Sequence, residues 1–174
     1  VPETLPSHLS MMTGLYPAGH GIHENGRSFP SGHSVLAEKL KENGYRTAAF
    51  VSSFVLSRRF GVARGFDAFD DELPADSAER SSQLTTDRAV AYLANSTGRQ
   101  FVWVHYFDPH APYAPSAPFA GRHPDRPYLS EVEAMDDAVG RLVKAFEEAV
   151  TRNGGSAAIL VAGAIGLLLG RIVL

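Results

Sequence analysis

Apolar and polar positions along this chain follow two periods. The longest helical period lies near the C-terminal end. There Val132, Met135, Val139, Leu142, Val143, Phe146 and Val150 recur every three to four residues. Ser130 and Glu133 stand at capping-box spacing before it, and Gly154-Gly155 follows as a stop. Val35 to Asn43 predicts a shorter helix with Val35, Leu36 and Leu40 inward and Gly44 at C′. A third helix starts at Thr85 or Thr86 and runs to about Asn95, with Val90 and Leu93 inward. Ser7 to Thr13 predicts a short one closed by Gly14. Between these, Arg46–Ser52, Phe101–Phe107 and Ala158–Ala162 are unbroken apolar or β-branched runs, the mark of buried strands. Pro17 to Gly32 and Asp108 to Pro127 are rich in Pro or Gly and predict loops. Such alternation predicts an α/β fold, a mainly parallel sheet sandwiched by helices.

Composition narrows the classes. The chain has 174 residues, 44% hydrophobic and 20% charged, with a net charge of −3, which excludes a disordered or collagen-like chain. It carries no long basic run, so nucleic acid is not an expected partner. There is no cysteine, which excludes disulfides, thiolate-bound zinc and a thiol nucleophile. Phe66 to Glu79 is rich in acids and predicts a solvated loop rather than a cation site. Ala157 to Leu174 is apolar apart from Arg171. Its uncharged run is shorter than the roughly 18 to 20 residues of a spanning helix. A buried strand with a packed turn is the first expectation there, and membrane contact through 157–174 the second.

In parallel sheets ligands bind beyond the C-terminal ends of strands. The loop after the Phe101 run, with Asp108 and His110, is therefore a place for chemistry, whereas His105 inside the run is expected to be a core histidine. Near the start, Thr4 precedes a helix N-terminus, where backbone N–H groups favour an anion. A threonine hydroxyl there still needs a metal or a base to become a nucleophile. Ser7 has an alternative reading as a plain N-cap. His8, His20, His23 and His33 crowd the surrounding segment without a zinc spacing such as H-E-x-x-H. Asp136 and Asp137 are helix neighbours that point about 100° apart and do not form a paired-carboxylate site.

More specific is the stretch Thr4-Leu-Pro-Ser-His-Leu-Ser-Met-Met-Thr-Gly-Leu-Tyr-Pro17, followed by His20-Gly21 and Asn25. It resembles the sulfatase signature C/S-x-P-S-R-x-x-x-x-T-G. Leu36 to Ala49, Gly65-Phe66-Asp67, Phe107 to Tyr113 and Tyr128 to Leu142 continue the likeness in order. The resemblance implies the sulfatase branch of the alkaline-phosphatase-like superfamily. It implies hydrolysis or transfer of sulfuric or phosphoric esters by a nucleophile held on a divalent cation (Ca²⁺, Mg²⁺ or Mn²⁺). Thr4 falls at the nucleophile and metal-contacting position. His8 falls where the family carries a supporting Arg, and His110 at the histidine that contacts the ester or protonates the leaving group. Ser7, His20 and Asn25 are the implied substrate-binding residues. The substrate would be a small-molecule, glycan or lipid ester, and the location periplasmic or membrane-associated.

Departures from the family pattern qualify this. Formylglycine is made from Cys or Ser, so Thr4 would have to attack as a hydroxyl, which moves the expectation toward phosphate or phosphonate esters. The Lys and His of a G-K-W-H-type segment are replaced near Ser52 and Phe54. In the place of the metal-binding G-D-H-G-E-x-x-G segment the chain reads Gly163-Ala164-Ile165-Gly166-Leu167-Leu168-Leu169-Gly170. Alanine, isoleucine and leucine offer no oxygen to a hard cation. The family's upstream Asp-Asp strand is not in these residues either. The expectation is thus a partial sulfatase-like catalytic domain over 1–174, an incomplete alkaline-phosphatase-like fold, with little metal-dependent activity by itself. The alternative is a non-catalytic relative that binds an anion or a partner.

Overall fold

The computed structural model describes residues 3–153, 157–163 and 166–169. In chain order the elements are α1 (Thr4–Thr13), α2 (Pro17–His20), α3 (Leu36–Glu42), β1 (Arg46–Val51), β2 (Ala68–Asp70), α4 (Ser82–Asn95), β3 (Gln100–Tyr106), α5 (Pro127–Arg152), β4 (Ala157–Gly163) and β5 (Gly166–Leu169). Two 3₁₀ turns, Phe54–Leu56 and Arg58–Phe60, follow β1. The sheet order is β2-β1-β3-β4-β5, parallel except for the last pair.

Side chains alternate across a strand, so residue parity sorts the two faces. Odd positions Ala49, Val51, Phe101 and Trp103 pack with Leu5, Leu9 and Met12 of α1, and with Val35 and Ala37 at the start of α3. Even positions Ala48, Phe50, Val102, Val104 and Tyr106 pack with α4 and α5 through Ala89, Leu93, Ala138, Leu142 and Phe146. All seven residues of β3 are buried, as a central strand covered on both faces requires. Parity also places His105 on the α1 side, and this puts the histidine within reach of the first helix.

The α/β architecture matches the hydrophobic pattern, and several boundaries move. Helix α1 opens at Thr4, one turn before Ser7, so Ser7 is not its N-cap. α5 opens at Pro127, a favoured first helical position. Ser130 and Glu133 therefore lie inside the helix and make no capping box. Ser130 Oγ accepts the His123 N–H at 3.2 Å, and Glu133 Oε1 pairs with His123 Nε2 at 2.8 Å. The buried face of α5 runs through Ala134, Ala138, Leu142, Phe146 and Ala149, while Val143 is exposed. The alanines let α4 approach closely, which rotates the contact away from the valines. The helix ends at Arg152, and Gly154-Gly155 lie outside the described residues.

The acidic segment is not a plain solvated loop. It holds strand β2, and its carboxylates are met by arginines. Asp70 pairs with buried Arg80 at 2.5 Å and with Arg88 at 3.0 Å, and Asp71 pairs with Arg58 at 2.7 Å. Residues 157–163 and 166–169 are strands of the sheet rather than a membrane helix. Among the described residues no helix is long and apolar enough to cross a membrane.

Candidate active site

Thr4 is the first helical residue of α1 and is partly exposed. Its N-cap, Glu3, is extended and makes no side-chain cap. A loop residue caps instead. Asn25 Oδ1 accepts the Leu5 N–H at 2.8 Å, and the Asn25 N–H is donated to Glu3 Oε2. Pro6 has no N–H to satisfy, so capping this turn costs one donor fewer. Ser7 Oγ donates to the Thr4 carbonyl at 2.9 Å. These bonds fix the backbone of the first turn. The Thr4 hydroxyl has no hydrogen bond to a described residue.

His8 is buried, and its Nδ1 lies 2.8 Å from the Thr4 carbonyl oxygen. A carbonyl only accepts, so Nδ1 carries the proton. Nε2 is then a lone pair, and it is buried without a partner among the described residues. The ring meets His105 edge-on, with centroids 4.7 Å apart, and lies 5.8 Å from Trp103. Burial pulls the His8 pKa down to about 4, against the opposing bond to Thr4. His8 is therefore neutral at neutral pH. It anchors the first turn of α1 but brings no positive charge beside Thr4. His105 is held well below its ordinary value by burial and then by His8. Ser52 Oγ donates to the His105 carbonyl at 2.8 Å and lies 3.3 Å from His105 Nδ1.

His20 is fully buried, and both ring nitrogens are engaged within the protein. Nδ1 accepts the Ile22 N–H at 3.2 Å, which leaves Nε2 to donate to Ser10 Oγ at 3.0 Å. His20 thus ties α2 to α1. His23 is exposed, and His33 stacks on Phe29.

His110 is exposed in the loop after β3, its ring stacked on Phe107 at 4.0 Å. Phe107 in turn lies 6.3 Å from His105. A run of four rings therefore links α1 to His110 across the end of β3. Asp108 Oδ2 accepts the Ser82 N–H at 2.7 Å and so caps α4. Tyr113 meets Tyr128 of α5 edge-on at 5.5 Å. Glu131 Oε1 accepts the Ala114 N–H at 2.6 Å, and its Oε2 is buried without a described partner. Sequence reasoning passed over Glu131. The signal was its place on the Ala134, Ala138, Leu142 stripe, where a carboxylate faces inward.

Thr4, Ser7, His8 and Asn25 thus lie in or against the first turn of α1, and His110 is linked to that turn only through the rings of His105 and Phe107 at the C-terminal end of β3. A cavity of about 440 Å³ lies elsewhere, lined by Gln83, Phe119, Arg122, Glu133, Asp137 and Arg141, and contains none of them. Among the described residues no donor set for a divalent cation is brought together. Ca²⁺ takes six to eight oxygens and Mg²⁺ near-octahedral ones. Beside Thr4 the Asn25 amide oxygen is already bonded to Leu5, a Glu3 oxygen to Asn25, and the Ser7 hydroxyl to the Thr4 carbonyl. No group of three His, Asp or Glu that could hold a metal occurs among the described residues.

No curated protein sequence matches the chain. Solved structures do. Ps i-CgsB in complex with k-i-k-neocarrahexaose aligns with a TM-score of 0.71 at 20% identity, over 92% of this chain and 48% of that one. BT4656 in complex with its substrate D-glucosamine-2-N,6-O-disulfate aligns at 0.65 and 15%, over 91% of this chain and 55% of that one. The phosphonate monoester hydrolase of Agrobacterium radiobacter aligns at 0.59 and 14%, over 97% and 55%. The chain spans about half the length of these proteins, and they share its alkaline-phosphatase-like α/β fold. The sulfatase family profile matches residues 1–154, and the chain belongs to the sulfatase family.

Proposed function

We propose that residues 1–174 are part of a sulfatase-like hydrolase domain whose site takes a sulfuric or phosphoric ester between the first turn of α1 and the His110 loop. The contact of His8 with His105 carries this reading, because it seats that turn on the end of β3, where the His110 loop departs. A sulfated ligand fits the reading, as BT4656 is named with its substrate D-glucosamine-2-N,6-O-disulfate and Ps i-CgsB with k-i-k-neocarrahexaose. Thr4 offers the hydroxyl and His110 the exposed imidazole that meets the ester oxygens. Ser7 and Asn25 hold the turn in place.

By itself this chain binds the oxyanion and does not turn it over. Hydroxyl nucleophiles require a base or a metal. His8 spends one nitrogen on the Thr4 backbone and buries the other. The same observation favours the second reading, a sulfatase-like module that binds an anion or partner without catalysis.

Thermal unfolding in sulfate or phosphate, paired with aryl sulfate and aryl phosphate assays in Ca²⁺, Mg²⁺ or Mn²⁺, tests both. The expected result is a rise in Tm without turnover. Stoichiometric micromolar metal binding with turnover that Thr4→Ala abolishes would overturn the inactivity of this chain. No protection by either anion would overturn the site itself.

A further inference from the structure

Between Asp108 and Ala114 the chain leaves the sheet, presents His110 to solvent and returns to α5. A segment with two prolines and few backbone bonds needs external ties to hold one conformation. Asp108 ties its start to the N-terminus of α4 at 2.7 Å. Its far end is tied by Glu131, whose Oε1 receives the Ala114 N–H at 2.6 Å. Glu131 is only 6% exposed, which is costly for a carboxyl on a helix with a solvent face. Its second oxygen has no described partner. Nothing in the packing of α5 requires an acid there, since the neighbouring positions of the stripe, Ala134 and Ala138, are small and apolar.

We propose that Glu131 is a positioning residue for His110: its carboxyl clamps the 108–114 loop on α5 and so sets where the imidazole stands. This rests on the reading of His110 as an ester-contacting group, but the clamp is a separate physical claim. Burial pushes the Glu131 carboxyl up, while the backbone N–H groups of Ala114 and His110 favour its charged form. Tyr113 on Tyr128 is the apolar half of the same clamp.

Glu131→Ala and Glu131→Gln in the full chain separate the clamp from simple loss of fold. Hydrogen exchange at the Ala114 amide is read beside that at Val104 in β3, and the His110 ring signals are followed by NMR. In Glu131→Ala the Ala114 amide is expected to exchange about tenfold faster, the loss of one hydrogen bond, with Val104 unchanged. The His110 ring signals move with it. Glu131→Gln keeps an acceptor oxygen and restores both. Unchanged His110 signals in Glu131→Ala, or an equal rise at Ala114 and Val104, would overturn the proposal. His110→Ala, measured for sulfate protection, separates the two claims. If it leaves protection unaltered while the Glu131 readouts move, the ester reading fails and the clamp stands.

Discussion

Acid should unfold this protein through His8 before it titrates the carboxylates. In the unfolded chain a histidine takes its proton near the ordinary value of 6.5, whereas burial holds His8 at about 4 in the fold. A base with a depressed folded pKa stabilises the fold fully above 6.5, and that contribution is lost as pH falls toward 4. The gap is worth about 3 kcal/mol in full, and about 2 kcal/mol of it is gone by pH 5. His105 shifts in the same direction and adds to the loss. His8→Asn isolates the part due to His8, because the Asn amide places an N–H where Nδ1 was and can still donate to the Thr4 carbonyl. The assay is urea unfolding from pH 7.5 to pH 5. Wild type should lose about 2 kcal/mol more than His8→Asn over that window. Parallel pH profiles for the two proteins would refute the assignment of a buried, neutral His8. So would a His8 ring that NMR shows titrating near 6.5.

Two further substitutions test the frame around the site. Gly65 has φ +84°, and a Cβ there would sit 2.5 Å from the Glu38 backbone nitrogen. Gly65→Ala should cost about 2 kcal/mol or more in urea unfolding, and a neutral result would mean that the turn does not press on α3. Arg80 is fully buried at its side chain and faces Asp70 at 2.5 Å, so Asp70→Ala should cost about 3 kcal/mol by stranding the guanidinium. A loss within experimental error would show that Arg80 finds enough support in Thr85 and the Glu72 carbonyl.

Which parts of the fold were legible follows from how local their causes are. Strands β1 and β3 were readable as unbroken apolar runs and the body of α5 by its helical period, both causes that lie in the local chain itself. The start of α1 was not, since its cap is Asn25, twenty residues away. β2 escaped notice because three residues carry no period, and its acids are balanced by Arg58, Arg80 and Arg88 from other segments. The motif Gly65-Phe66-Asp67 read only as a likeness. In the fold Thr47 Oγ1 donates to the Gly65 carbonyl at 2.7 Å, and Asp67 Oδ2 accepts the Thr47 N–H at 3.0 Å. The resemblance singled out Thr4, His8 and His110 by position, but only packing shows that His8 is uncharged and that Glu131 faces inward.

The neutrality of His8 bears directly on the threonine. An arginine at position 8 would place a permanent cation beside the first turn of α1 and lower the cost of a negative charge on the residue-4 oxygen. Histidine in that place is pulled into the odd-numbered face of the sheet, where Trp103 and His105 receive it. That packing tightens the union of α1 with β3, and it does so by removing water from the ring, the very condition that keeps the ring uncharged. Returning a cation to position 8 by His8→Arg would bury a guanidinium among Trp103 and His105, and with no carboxylate to pair with it among the described residues the cost is on the order of several kcal/mol. The frame around Thr4 has thus been settled in favour of packing over charge. On the proposed reading, an ester anion held there would rely on the helix end and His110 for its stabilisation.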